Sequence, residues 1–299
     1  MVSLYTHRDS NIRKTWIIFT LFLIVVIGGG YLFSQIYGNP SIVVIASIIA
    51  ITMSFISYWY SDKIVLGMAK AVPATRESNH ELYNIVENLC ITAGLPVPKI
   101  YIMEEAQFNA FATGRDPQHG VIAVTRGLLE HLNRSELEGV ISHEMSHIGN
   151  RDILISTVVV VLVGFIAIMS DIFMRSLWFR GRSRGRDNEG GQIVLILGIA
   201  FAILAPIAGT LMKLAISRKR EFLADASGAL LTRYPDALAD ALQKISADVT
   251  PMNIANNSTA HLWIDDPYNE QKKAPFLHAL FMTHPPIADR IKALRGMKV

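Results

Sequence analysis

Cysteine is almost missing from this chain, and charge is scarce. Cys90 is the single cysteine among 299 residues, so no intrachain disulfide forms and a reducing compartment is allowed. It sits between Leu89 and Ile91, an apolar setting that suits a buried core residue better than a nucleophile. Charged residues make up 18% of the chain, against about 25% in a typical soluble domain, while 51% is hydrophobic. That balance points to a membrane protein, and the mean hydropathy of +0.33 agrees. The net charge is +3, and many Lys and Arg flank apolar runs. Such placement fits membrane orientation better than nucleic-acid binding, so no nucleic-acid partner is expected. The sequence has no internal repeat, and its one low-complexity stretch is the Arg/Gly/Ser-rich segment 180–192.

Four apolar runs reach the roughly 20 residues that a bilayer crossing requires: Trp16 to Tyr37, Ser41 to Tyr60, Ile153 to Met174 and Ile193 to Ile216. Trp16, Tyr37, Trp59 and Tyr60 stand at the edges of the first two, as interfacial aromatics do. The first run is too long for the apolar core of a signal peptide and lacks an A-x-A site, so a retained hairpin is expected. Gly28-Gly29-Gly30 is a possible break inside it. Two hairpins put the N-terminus, residues 61–152 and the C-terminal region on one side. The basic flanks there, Arg13, Lys14, Lys63, Arg151 and Arg218-Lys219-Arg220 among them, make that side cytoplasmic. The basic 175–192 loop argues the other way.

The expected organisation is an N-terminal transmembrane hairpin over 1–60, a first part of the catalytic domain over 61–152, a second hairpin over 153–216 and a second part of that domain over 217–299. Within the polar parts, Ser78 with Glu81 forms a capping-box pattern ahead of a helix over 78–93 that Gly94 ends. Lys99 to Met103, Asn109 to Thr113 and Val121 to Thr125 read as strands. Ser135 with Glu138 caps a second helix. A last helix follows Pro285-Pro286, through Ala288 to Arg295.

That second helix carries His143-Glu144-Met145-Ser146-His147. Residues i and i+4 share a helix face, so both imidazoles can reach one zinc ion. Glu144 is poorly placed as a ligand but well placed to take a proton from a water at the metal. HExxH alone is a moderate signal. Glu221 supplies a third ligand: it lies just past the fourth run and HExxH just before the third, so a hairpin brings the two segments together. Two His with one Glu is a catalytic zinc set that leaves a position open. Asp225 lies one turn after Glu221 and can accept the free N–H of a ligand histidine. The bland alternative for Glu221 and Asp225 is an exposed, ion-paired helix face. His7, His80, His119, His131, His261 and His278 match no ligand spacing.

With these motifs in view, the chain resembles the HtpX group of membrane-bound zinc metalloendopeptidases, related to the CAAX prenyl endopeptidases. The resemblance runs through NAFATG at 109–114, HEMSH at 143–147, REFLAD at 220–225 and THPP at 283–286, followed by Arg290. It implies one zinc per chain on His143, His147 and Glu221, with Glu144 as base. It implies a mainly α membrane protein with four transmembrane helices and an α+β, zincin-like catalytic domain with a small sheet. It also implies a multi-pass protein of the cell membrane with its site facing the cytoplasm, cutting misfolded or damaged proteins under stress. Its partners would be protein or peptide substrates, membrane proteins among them, and the lipid bilayer. By the same resemblance Asn109 helps hold an extended substrate, and His284 or Arg290 stabilises the oxyanion. Two other classes stay open: a non-catalytic membrane protein with a structural zinc, and a channel or transporter. The first would fill four protein ligands, and the second would place polar groups or breaks inside the spans.

Overall fold

The computed structural model describes residues 4–180, 218–254, 259–265, 267 and 285–298. Its helices are α1 (Leu4–Tyr37), α2 (Ser41–Trp59), α3 (Ser61–Met68), α4 (His80–Ala93), α5 (Arg126–His131), α6 (Arg134–Gly149), α7 (Asp152–Arg180), α8 (Arg218–Thr232), α9 (Pro235–Ala247) and α10 (Ile287–Arg295). Two of them, over Asp9–Leu32 and Ser41–Trp59, are long and apolar enough to cross a bilayer. They turn at Gly38-Asn39-Pro40, where Asn39 Oδ1 accepts from the Ser41 N–H at 3.0 Å. Ile24, Ile45, Ile48, Ile51 and Phe55 are more than half exposed, apolar side chains of the kind that meet lipid. Ile18, Phe22 and Ala50 face inward onto Ile155, Val158, Val159 and Leu162 of α7. The glycine triplet is no break, because α1 runs through it unbroken. Gly30 lies against Ala46 of α2, and a Cβ there would collide with it, so the glycine lets two helices approach closely.

Four spans were the expectation from hydropathy. The third run begins α7, but over Asp152–Ile166 this helix is buried in protein at nearly every position, and it meets α6 at an 82° bend. The fourth run lies outside the described residues.

The sheet has four strands, β1 (Val72–Pro73), β2 (Lys99–Met103), β3 (Ala110–Thr113) and β4 (Val121–Thr125), in the order β1-β2-β4-β3. β2 and β4 are parallel, and the outer pairs are antiparallel. β2 and β4 have their expected bounds. β3 starts one residue after the expected Asn109, and β1 was not anticipated. Alternate residues serve two cores. Ile100, Ile102, Ala112, Ile122 and Val124 pack with α4 and α6; Met103, Phe111, Val121 and Ala123 pack with Val65, Val160 and Trp263. A sheet covered on both faces has continuous apolar strands.

The helix starts differ from the expected caps. Ser78 Oγ donates to the Thr75 carbonyl at 3.3 Å, so α4 begins after Asn79 without a side-chain cap, while Gly94 ends it in the left-handed conformation. The cap of α6 is Asn133, two residues before the expected Ser135. Asn133 Oδ1 accepts from the Glu136 N–H at 3.0 Å, and Glu136 Oε2 accepts from the Asn133 N–H at 2.8 Å. This box prevails over Ser135 and Glu138 because Glu136 also pairs with Lys244 of α9 at 2.7 Å, and it lengthens the helix. α9 buries Leu238, Leu242 and Ile245 against the α6 core. α10 follows Pro285-Pro286 as expected.

Candidate metal centre

The HExxH motif occupies the last turns of α6, a helix buried on most sides, with His143 and Glu144 1% and 2% exposed. Helical spacing brings His143 Nε2 and His147 Nε2 to 3.2 Å. α8 crosses this helix closely. A Cβ on Gly228 would stand 2.9 Å from Ser142 Oγ and 3.0 Å from the His143 nitrogen. Only glycine permits that approach, and it sets Glu221 opposite the histidines. Glu221 Oε2 is 3.7 Å from His143 Nε2, and Oε1 is 3.7 Å from His147 Nε2. The three ligand atoms lie within 4.8 Å of one another. Zinc bonds of about 2.0–2.1 Å in a tetrahedron require ligand atoms about 3.3 Å apart. The observed separations fit that ion, and the donor set suits it.

Each histidine has a carboxylate behind it. His143 Nδ1 lies 2.9 Å from Asp225 Oδ1, and His147 Nδ1 lies 3.0 Å from Asp152 Oδ2. Such partners fix the tautomer that turns Nε2 toward the metal. Asp225 stands where the helical spacing from Glu221 put it. Asp152 was not foreseen, because the 82° bend returns it to His147. That bend passes through Arg151 at φ +57°, a conformation nothing in the sequence pattern announces.

Arg290, expected at the oxyanion, is wholly buried beside His143, with Nη2 3.4 Å from His143 Nε2 and Nη1 3.9 Å from Glu221 Oε2. Its Nε and Nη2 donate to Asp225 at 2.9 and 2.7 Å, and Nη1 donates to the Ile264 carbonyl at 3.1 Å. Charge explains the position: a buried carboxylate needs a partner, and the planar guanidinium matches it with two bonds. Asn109 is likewise buried. Its Nδ2 donates to the Asp265 carbonyl at 3.1 Å, and its main chain pairs with the Thr125 hydroxyl and amide. His284 lies outside the described residues.

Burial pushes the Glu144 carboxyl up from its ordinary value, and Glu221 adds to this, while the two histidines and Arg290 oppose it. Burial also disfavours the Asp225 carboxylate, but Arg290 and His143 outweigh it and hold the pKa at about 2. For His147, burial favours the neutral ring, yet the hydrogen bond to Asp152 and the nearby carboxylates raise the pKa to about 9 in the metal-free protein.

A cleft opens over these groups, lined by Glu144, Ala112, Ser156, His261, Trp263 and others. His261 and Trp263 escaped the sequence reading. His261 Nε2 faces the Ser156 carbonyl at 3.3 Å, and Trp263 packs edge-on against Phe111 at 5.0 Å. β3 is the sheet edge beside the cleft. The Ala110 carbonyl accepts from the Ile264 N–H at 3.0 Å, so strand alternation sends the Ala112 main-chain groups to the same outer side.

Residues 76–298 match the family described as Peptidase family M48. A Protease HtpX homolog of Thermoanaerobacter pseudethanolicus is 46% identical over 300 residues, covering 99% of this chain and 98% of its own. One from Pyrococcus furiosus is 48% identical over 274 residues, covering 91% and 90%. The crystal structure of S. mikatae Ste24p shares the fold, with a TM-score of 0.51 at 20% identity, over 94% of this chain and 66% of that one.

Proposed function

The chain belongs to peptidase family M48 and is a membrane metalloprotease, and on that premise we propose that zinc sits on His143, His147 and Glu221, one ion per chain, with Glu144 as the catalytic base. One observation carries this reading: three ligand atoms converge within 4.8 Å in a cleft that Glu144 also lines. A bound zinc ion supplies Lewis-acid polarisation of the scissile carbonyl and makes a water acidic enough to lose its proton near neutral pH.

The remaining steps belong to side chains. Glu144 takes the proton of the attacking water and delivers it to the leaving amine, and a carboxyl pushed up by burial is the better for both halves of that task. Asp225, held by Arg290, and Asp152 keep the histidine rings aimed at the ligand position. Arg290 therefore acts through Asp225 and His143. The peptide lies extended along the outer side of β3 by strand addition, and Asn109 helps by anchoring that strand to Thr125 and Asp265. His284 is the proposed donor to the oxyanion, on the strength of its motif.

Misfolded or damaged membrane proteins, met under stress, are the proposed substrates. The support is the family resemblance together with a cleft beside helices of membrane-spanning length. We place the protein in the cell membrane with four spans and the site facing the cytoplasm. The apolar run 193–216 and the basic flanks support this.

The test is metal removal and return on the full chain in detergent, with unfolded casein as substrate. About one zinc per chain is expected, with cleavage lost to a chelator and restored by zinc. Glu221→Ala should lose the ion. Cleavage that survives complete metal removal overturns the reading.

A further inference from the structure

Both oxygens of the Asp152 carboxylate are engaged, and one of them is held by a membrane helix. Oδ2 faces His147 Nδ1 at 3.0 Å. Oδ1 accepts from Nδ2 of Asn11 on α1 at 2.7 Å, and the same amide donates to the Asn150 carbonyl at 3.1 Å. Asn11 Oδ1 in turn accepts from Arg220 Nη1 at 3.4 Å. Arg220 precedes Glu221 and lies 3.7 Å from Asp152 Oδ1. Asn11 is 3% exposed. One amide, some 140 residues away in sequence, thus meets three parts of the metal site: the bend after HExxH, the carboxylate behind His147, and the residue next to Glu221.

We propose that Asn11 is a positioning residue for the metal site, acting on His147 through Asp152. A carboxylate held by a single hydrogen bond swings about its Cβ–Cγ bond. Held at its second oxygen as well, it presents a fixed acceptor, which fixes the tautomer and plane of His147. An amide has the right chemistry: its NH₂ bridges two acceptors, Asp152 and the Asn150 carbonyl, while its oxygen takes the arginine. Leucine has the same size without any of these bonds. The consequence is that the N-terminal membrane helix is part of the metal centre as well as an anchor. A role confined to packing α1 against the bend predicts something different: altered unfolding, with the hold on the metal unchanged.

This inference rests on zinc binding at His143, His147 and Glu221. The test follows zinc release to a colorimetric chelator from the full-length, zinc-loaded protein in detergent. Asn11→Leu and Asn11→Ser should release the ion roughly 10-fold faster than the parent, the lower end of the usual effect of losing such an outer partner. Asp152→Asn should release it at least as fast. The double variant Asn11→Leu/Asp152→Asn should be no faster than Asp152→Asn alone, since Asn11 acts through that carboxylate. Thr15→Val is the control. Thr15 is buried one turn further along α1, and among the described residues its hydroxyl bonds only its own helix, at the Asn11 carbonyl; its zinc release should match the parent's. Asn11→Ser keeps a small polar group, so the test survives if Asn11→Leu fails to fold. Parent-like release from the Asn11 variants overturns the proposal, and so does an effect that multiplies with Asp152→Asn. A parent that holds no zinc overturns the metal site and this inference together, whereas a zinc-holding parent with unaffected variants overturns the inference alone.

Discussion

Arg290 and Asp225 form a two-bond pair, at 2.9 and 2.7 Å, beside the metal-ligand candidate His143. The guanidinium is fully buried and the carboxylate nearly so, so neither charge has water to fall back on. Removing Arg290 takes away both charge-assisted bonds of the buried Asp225 carboxylate and leaves it the His143 ring alone of the contacts described above. Arg290→Ala should therefore destabilise the fold by roughly 3–5 kcal/mol, measured by denaturant or thermal unfolding in detergent. Arg290→Lys keeps the charge but not the planar two-bond fit, and should recover only part of the loss. Unchanged stability in both variants would show that the pair is dispensable.

Gly228 sets the distance between α8 and α6. In Gly228→Ala the new Cβ meets Ser142 Oγ and the His143 main chain, so the helices must separate or twist. Overpacking of this kind costs about 1–3 kcal/mol, and the shift should move Glu221 relative to the histidines and weaken zinc retention. The comparison is Gly67→Ala in α3, where a Cβ meets nothing within 4 Å. That variant should be neutral or slightly stabilised. Equal zinc retention by both variants would remove the claim that close helix approach builds the site.

Cys90 should be inert while the protein is folded. Its thiol is buried, donates to the Pro96 carbonyl at 3.7 Å, and has its pKa raised to about 11, first by burial and then by the Glu87 charge. A raised thiol pKa leaves the neutral form dominant, with about 0.1% thiolate at pH 8, and the thiolate is the reactive species. Iodoacetamide at pH 8 should leave native protein unmodified and label it fully once it is unfolded, as read by intact mass. Fast labelling of the native state would contradict the burial of this residue.

Much of the site was legible because its signals are local. His143 and His147 share a face by helix spacing alone, and Asp225 follows Glu221 by the same rule. β2 and β4 show as apolar runs because both faces of the sheet are covered. What stayed hidden depends on tertiary partners. Asn133 takes the cap of α6 over Ser135 because Glu136 finds Lys244. Asp152 reaches His147 only through the bend at Arg151. Asn11 meets Asp152 from 141 residues away in sequence, and His261 and Trp263 reach the cleft from a segment without periodicity. Hydropathy alone does not tell the start of the third apolar run from a lipid-facing span, because burial in protein and burial in lipid require the same apolar residues. The start of α7 is buried in protein.

The central claim is that zinc and Glu144 together hydrolyse peptide bonds, and one comparison tests it most directly. Parent protein and Glu144→Gln, purified in detergent, are assayed side by side for zinc content and for casein cleavage. The amide keeps the size of the side chain and cannot accept the proton. The account predicts about one zinc in each protein, with cleavage by the parent and a loss of at least about 100-fold in the variant, as expected for removal of a general base. A Glu144→Gln variant that holds zinc and cleaves at the parent's rate would contradict it.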